Sequence, residues 1–404
     1  MTIKRTLTFA AALALAAGAA QAQISDGVVK VGVINDQSSL YADLAGPGSV
    51  LAARMAVEDF KAAEKGLKIE ILSADHQNKA DVASNIVRQW IERDGVDLIL
   101  DVPNSSVVLA LNNLLRDKRS GMIVSTGATS DLSGKACSPN SIHWTYDTWA
   151  LANGTGKAIV KTGGDSWFFI TADYAFGHQL EADTASVVEA NAGKVLGKVR
   201  HPLNNADFSS FLLQAQSSKA KIIGLANAGG DTTNAIKQAS EFGIVRGGQN
   251  LAGLLVFLTD VHSLGLQAAQ GLIFSEPFYW DRTDESRAFT KRFAPRNRNI
   301  YPTMGHAGVY SAMLHYMKAV EASKSDDAKV VFPKMKEMPT DDPLFGKGVV
   351  RADGRKIHPM YLFEVKKPSE SKGAWDYYKL RATIPAEEAF RPIDKGDCPL
   401  VKKG

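Results

Sequence analysis

Residues 96–133, VDLILDVPNSSVVLALNNLLRDKRSGMIVSTGATSDLS, restrict the fold more than any other stretch of the chain. A mainly apolar run, 96–100, ends in the small polar residues Asn104, Ser105 and Ser106. Val107, Val108, Leu111, Leu114 and Leu115 then repeat at helical spacing. A second apolar run, 122–124, ends in Ser125, Thr126, Gly127, Ala128 and Thr129. This pattern predicts a strand, a crossover helix and a second, parallel strand. In open α/β sheets, ligands bind beyond the carboxyl ends of the strands. Free amides, hydroxyls and a helix N-terminus at such a corner suit an anion. The same residues would also serve as plain helix caps.

The alternation continues on both sides. Strands are predicted at 28–34 and 67–74, with helices after each, so the first half is a doubly wound α/β unit. The aromatic-rich segment 141–149, SIHWTYDTW, reads as a break. Strands at 166–171, 195–199, 221–226 and 251–258 then build a second unit on the same plan. The tail differs: 349–351 and 360–365, flanking Asp353-Gly354, read as a β-hairpin.

Bulk properties narrow the setting. Residues 1–22 carry Lys4 and Arg5, an Ala/Leu-rich core, and the small-x-small run Ala20-Gln21-Ala22. They read as a secretory signal, with the mature chain starting at Gln23. Formal net charge is +4, falling to +2 once Lys4 and Arg5 are removed. No basic block argues for nucleic acid. Two cysteines, Cys137 and Cys398, are expected to form one disulfide in an exported chain, with two free thiols as the alternative. No CxxC occurs, and neither His143 nor His358 sits at a helical or hairpin spacing from another ligand, so a metal site is not expected.

Catalytic motifs are missing. The sequence has no G-x-S-x-G elbow, no phosphate loop and no H-E-x-x-H. The first strand-to-helix turn offers Ser39 and Tyr41 where a dinucleotide site places glycines. The expectation is a protein that is not an enzyme and needs no cofactor. The strand ends point instead to binding. One half offers Ser39, Tyr41, Asn104, Ser105, Ser106, Ala128 and Thr129. The other offers Tyr174, Phe176, Asn227, Phe257 and Asp260. If the two crevices face each other, a polar wall meets an aromatic wall, which suits a small amphipathic acid. Phe257 would equally serve as core, and Asp260 as a helix cap.

Taken in order, VKVGVI with its polar loop and Tyr41, DGVDLILDVPNSS, GMIVSTGAT, ADYAFG and the turn 227–231 before a helix ending in EFG carry a resemblance. The chain resembles the type I, leucine/isoleucine/valine-binding class of periplasmic substrate-binding proteins of ABC importers. The likeness spans essentially the whole mature chain. It implies two Rossmann-like lobes joined by three crossovers, 23–145 with 277–335 and 146–276 with 336–404, closing on a ligand. It further implies a monomer in the periplasm that serves a membrane ABC permease and its ATPase.

By the same resemblance, carboxylate-holding groups fall on Asn104, Ser105, Ser106, Gly127, Ala128 and Thr129. Flanking rings fall on Tyr41 and Phe176, and an ammonium-binding acid falls near Asp260. The chain departs from the amino-acid binders in two ways. The ammonium-binding glutamate is not plainly present, and Asn227 stands where the second-lobe turn carries a Tyr. Trp144, Tyr146 and Trp149 crowd the crossover. A cleft poor in carboxylates and rich in rings suits an aromatic carboxylate, because a buried ammonium needs a paired charge. The alternatives are a branched-chain or other amino acid, or a role as an exported ligand sensor.

Overall fold

Val29–Asn35 is rich in β-branched residues and forms β1, buried along nearly its whole length. Burial on both faces is the mark of a strand inside a parallel sheet covered by helices. The computed structural model describes residues 24–402, so the expected signal segment lies outside the described residues. With β2 (Ile69–Asp75), β3 (Leu98–Asp101), β4 (Gly121–Val124) and β5 (Ser141–His143), β1 makes a five-stranded sheet in the order β2-β1-β3-β4-β5. All of its pairings are parallel. The second sheet repeats the plan. It contains β6 (Ser166–Ala172), β7 (Lys194–His201), β8 (Ile222–Ala226) and β9 (Asn250–Gly253), in the order β7-β6-β8-β9. It too is wholly parallel. The fold is the predicted pair of doubly wound lobes.

Three local expectations need correction. The start of the predicted break at 141–149 is β5, an edge strand too short to show a period. The strand expected at 251–258 ends at Gly253, and 254–257 turn toward the other lobe. The C-terminal hairpin keeps the predicted turn but not the predicted second arm. Val349 and Val350 pair across Asp353-Gly354 with Ile357 and Lys356, whereas Met360–Val365 pairs with Ile273–Glu276 and Tyr378–Ile384.

The connections between lobes are heavily anchored. The first runs through Trp144 and Tyr146, whose carbonyls accept from the fully buried guanidinium of Arg355 at 2.9 and 3.0 Å. Beside it, Lys356 Nζ donates to Ser311 Oγ at 3.0 Å and lies over the Trp144 ring. Beyond Ile384 the chain turns back to the first lobe. Arg391 donates to the Ser130 carbonyl at 2.9 Å, and Cys398 is disulfide-bonded to Cys137. The expected pairing is therefore formed. No helix among the described residues is long and apolar enough to cross a membrane.

The loop after β1 is pinned from below by the helix Met304–Ser323. Thr303 Oγ1 donates to the Leu44 carbonyl at 2.8 Å. His306 Nδ1 accepts from Thr303 N–H at 3.1 Å, so Nε2 carries the proton and donates to the Ala45 carbonyl at 2.8 Å. A second proton has nowhere to go, and burial lowers this histidine from 6.5 to about 4. The unfolded chain binds that proton near pH 6.5 and the folded chain only near pH 4. The stability from this group is thus present above pH 6.5 and is lost as pH falls through that window. The melting-temperature gap between wild type and His306→Gln, which cannot titrate, should narrow from pH 7 to pH 4.5. A constant gap would reject the assignment.

Candidate ligand-binding cleft

In each sheet the first strand of the lobe lies between the second and third, which makes a switch point beside it. Crevices open at such points. The loops after β1, β3 and β4 bring Tyr41, Leu44, Pro103, Thr126 and Ala128 to one wall. Those after β6, β8 and β9 bring Tyr174, Phe176, Ala228, Leu255 and Phe257 to the other, with Tyr146 from the crossover between them. The loops after β2 and β7, on the far side of each switch point, contribute nothing to the lining. Together these side chains surround a nearly filled hollow with about 10 Å³ of free space, close to what one water molecule needs. Five of the eleven lining residues are aromatic and none is charged.

The walls touch. Tyr41 Oη and Tyr174 Oη are 2.6 Å apart across the cleft, and burial raises the pKa of both phenols. Tyr146 donates to the Thr126 carbonyl at 2.6 Å, and its ring meets Phe257 edge-on at 6.1 Å. At the tip of β8, Gly229 has φ +57°, and a Cβ there would lie 2.8 Å from the Leu40 carbonyl oxygen of the opposite wall. Only glycine fits that approach.

Under the first wall, Asp101 and Val102 both hold positive φ, 87° and 53°. A β-branched residue there is strained. The strain is held by bonds on all sides. Val102 N–H donates to the Ile34 carbonyl at 3.2 Å. The Asp101 carboxylate accepts from Asn35 Nδ2 at 2.9 Å and from the Thr126 hydroxyl. The strained turn sets Pro103 into the lining.

Of the residues singled out from sequence, Tyr41, Ala128, Tyr174, Phe176 and Phe257 line the hollow; the other nine stand off it. Asn104 caps the helix Ser105–Leu115, accepting from Ser106 and Val107 amides. Ser105 Oγ accepts from Thr129 N–H at 3.2 Å and keeps its own hydroxyl proton to donate. Ser106 and Trp149 are partly exposed. Gly127 is packed under Val102, and its carbonyl bonds His143 at 2.7 Å. Ser39 is turned onto Asp36. Asn227 accepts from Thr232 at 2.7 Å and meets His201 at 3.1 Å. Asp260 accepts from Phe257 N–H at 2.8 Å as a cap, and burial pushes it up to about 7.

Six lining residues were not in the sequence-derived set. Leu44, Leu255 and Ala228 are ordinary apolar residues with no signal. Thr126 and Pro103 belonged to strand ends already noted. Tyr146 was visible in the aromatic segment, where the neighbouring Trp149 was favoured instead.

Two facing strand-end crevices around a ring-lined hollow describe an architecture. Residues 28–374 match the family model for periplasmic binding proteins. The chain belongs to the periplasmic binding protein family. A periplasmic binding protein of Burkholderia mallei is 51% identical, covering 93% of this chain and 100% of that one, with a TM-score of 0.91. A branched chain amino acid ABC transporter periplasmic ligand-binding protein of Burkholderia xenovorans LB400 is 40% identical, covering 92% and 99%, with a TM-score of 0.82. A Leu/Ile/Val-binding protein homolog of Brucella melitensis is 25% identical over 381 residues, 91% of this chain and 94% of that one. Proteins of this family bind small molecules and work with a membrane permease; they are not enzymes. Among the described residues of this binding protein, no group of His, Cys, Asp and Glu could hold a metal ion.

Proposed function

We propose that this binding protein is exported to the periplasm, where it captures a small carboxylate with an aromatic body. It delivers the ligand, as a monomer, to an ABC-type permease and its ATPase. The observation that carries this is the lining: five rings and no charged side chain around one small hollow. The lobes are proposed to divide as 23–145 with 277–335 and 146–276 with 336–404. Closure follows from geometry. A ligand in the hollow beside the Tyr41–Tyr174 contact touches both lobes only when they are shut, and that differential contact shifts the population.

Neutral donors suffice for the carboxylate. The helix Ala175–Ala190 opens into the cleft beside Phe176 without a side-chain cap on its first amides. The acids nearby do not oppose an anion. Burial raises Asp260 to about 7 and pushes Glu276 well above its ordinary value, which favours the uncharged form of both beside an anion.

An amino-acid ligand is the second reading, favoured by the name of the 40% identical relative. The two differ in proton balance. An ammonium would draw Asp260 or Glu276 into the ionised form and release a proton, so its binding would tighten as pH rises. An aromatic carboxylate would instead push Asp260, already raised to about 7, toward its neutral form and take up protons. Benzoate and 4-hydroxybenzoate are expected to raise the melting temperature, and L-leucine is not. Calorimetry in two buffers of different ionisation enthalpy should show no proton release when the aromatic acids bind. Stabilisation by leucine alone, with proton release, would replace the first reading by the second.

A further inference from the structure

The wall that carries Tyr41 is organised by a residue that does not touch the hollow. Asp36 follows β1 and is fully buried. Its carboxylate is held by neutral donors. Oδ2 accepts from Tyr41 N–H and from Asn78 Nδ2, each at 2.7 Å. Oδ1 accepts from Ser39 N–H at 3.0 Å and from Ser39 Oγ at 2.8 Å. Hydrogen bonds to an ionised acceptor are the strong ones. The carboxylate therefore fixes the backbone of Tyr41, five residues on, in a loop with no regular structure of its own. The Tyr41 ring then reaches Tyr174 of the opposite lobe.

The same carboxylate reaches the next corner. Asn78 sits in the turn after β2 at φ 56°, and its Oδ1 accepts from Asn104 Nδ2 at 3.4 Å. Asn104 in turn caps the helix that begins at Ser105. One buried carboxylate thus links three strand-end turns of the first lobe. The turn after β2, which lines nothing, acts through this link.

We propose that Asp36 is a positioning residue of the cleft: it places Tyr41, and through Tyr41 it sets how tightly the lobes close on ligand. The proposal rests on the binding function above, and its test separates the two. Asp36→Asn keeps the shape but turns one acceptor into a donor facing donors. Affinity is measured for benzoate, 4-hydroxybenzoate and L-leucine, in wild type and in a Tyr41→Ala background. Amide exchange at Tyr41 is followed in ligand-free protein.

Asp36→Asn should weaken binding about 10-fold in wild type and less than about 2-fold when Tyr41 is already removed. The Tyr41 amide should exchange faster while β1 stays protected. A merely structural aspartate would lower affinity equally in both backgrounds, or leave Tyr41 exchange unchanged, and either result overturns the proposal. If Asp36→Asn does not fold, Asn78→Ala takes its place, with a smaller loss and the same dependence on Tyr41. If none of the three compounds binds wild type, the ligand reading falls. The exchange measurement then decides the role of Asp36 alone.

Discussion

Gly229→Ala is expected to weaken ligand binding by about 100-fold, the scale of a methyl forced into a packed contact. The new Cβ would stand 2.8 Å from the Leu40 carbonyl oxygen and 3.2 Å from the Tyr41 ring. A backbone carbonyl cannot step aside as a side-chain tip can. The contact exists only when the lobes meet, so its cost falls on the closed form and hence on affinity. A second cost, the left-handed φ of +57°, falls on open and closed forms alike. It lowers the melting temperature of ligand-free protein without changing affinity. Gly230→Ala is the internal control. There the nearest atom is the flexible Leu40 Cδ1 at 2.9 Å, and φ is ordinary. It should cost no more than about 3-fold. Calorimetric titration of both variants, with melts of the ligand-free proteins, gives the comparison. Equal affinities for the two would show that this approach plays no part in closure.

Removing the Cys137–Cys398 bond should lower the unfolding free energy by about 4 kcal/mol. The cysteines are 261 residues apart in sequence, so the crosslink closes a loop of about two thirds of the described chain and restricts its unfolded ensemble strongly. Its native role is local. It holds the final segment, through Arg391 on the Ser130 carbonyl, against the loop that follows β4. Ser130 also donates to Asp183 of the second lobe at 2.9 Å. Cys398→Ser and reduced wild type should show the same lowered denaturant midpoint, and a midpoint unmoved by reductant would refute the estimate. Ligand affinity should change far less than in Gly229→Ala, because no residue of the tail lines the hollow.

The fold was legible because its signal is local and repeated. Runs such as VKVGVI and VDLIL, each followed by small polar residues and a 3–4 apolar repeat, leave little choice but strand, turn and helix. The exceptions have physical causes. β5 is three residues long and sits inside an aromatic segment. Residues 349 and 350 pair across the Asp353-Gly354 turn with 357 and 356, and residues 360–365 pair instead with the next strand, 378–384, and with 273–276 far away in sequence. The cleft was half legible. Strand-end position identified Tyr41, Ala128, Tyr174, Phe176 and Phe257. It could not separate them from Asn104 and Asp260, whose side chains turn back to cap helices.

Sequence by itself determined two parallel sheets, their strand tips as the candidate binding edge, and the expected pairing of the two cysteines. Those follow from periodicity and residue type within a few positions of each other. Tertiary structure decided which tips face across the cleft, that Gly229 must be bare for the Leu40 carbonyl to approach, and that Asp36 holds Tyr41 in place. These depend on how two lobes meet and on which polar groups find partners first, and neither distance is written along the chain.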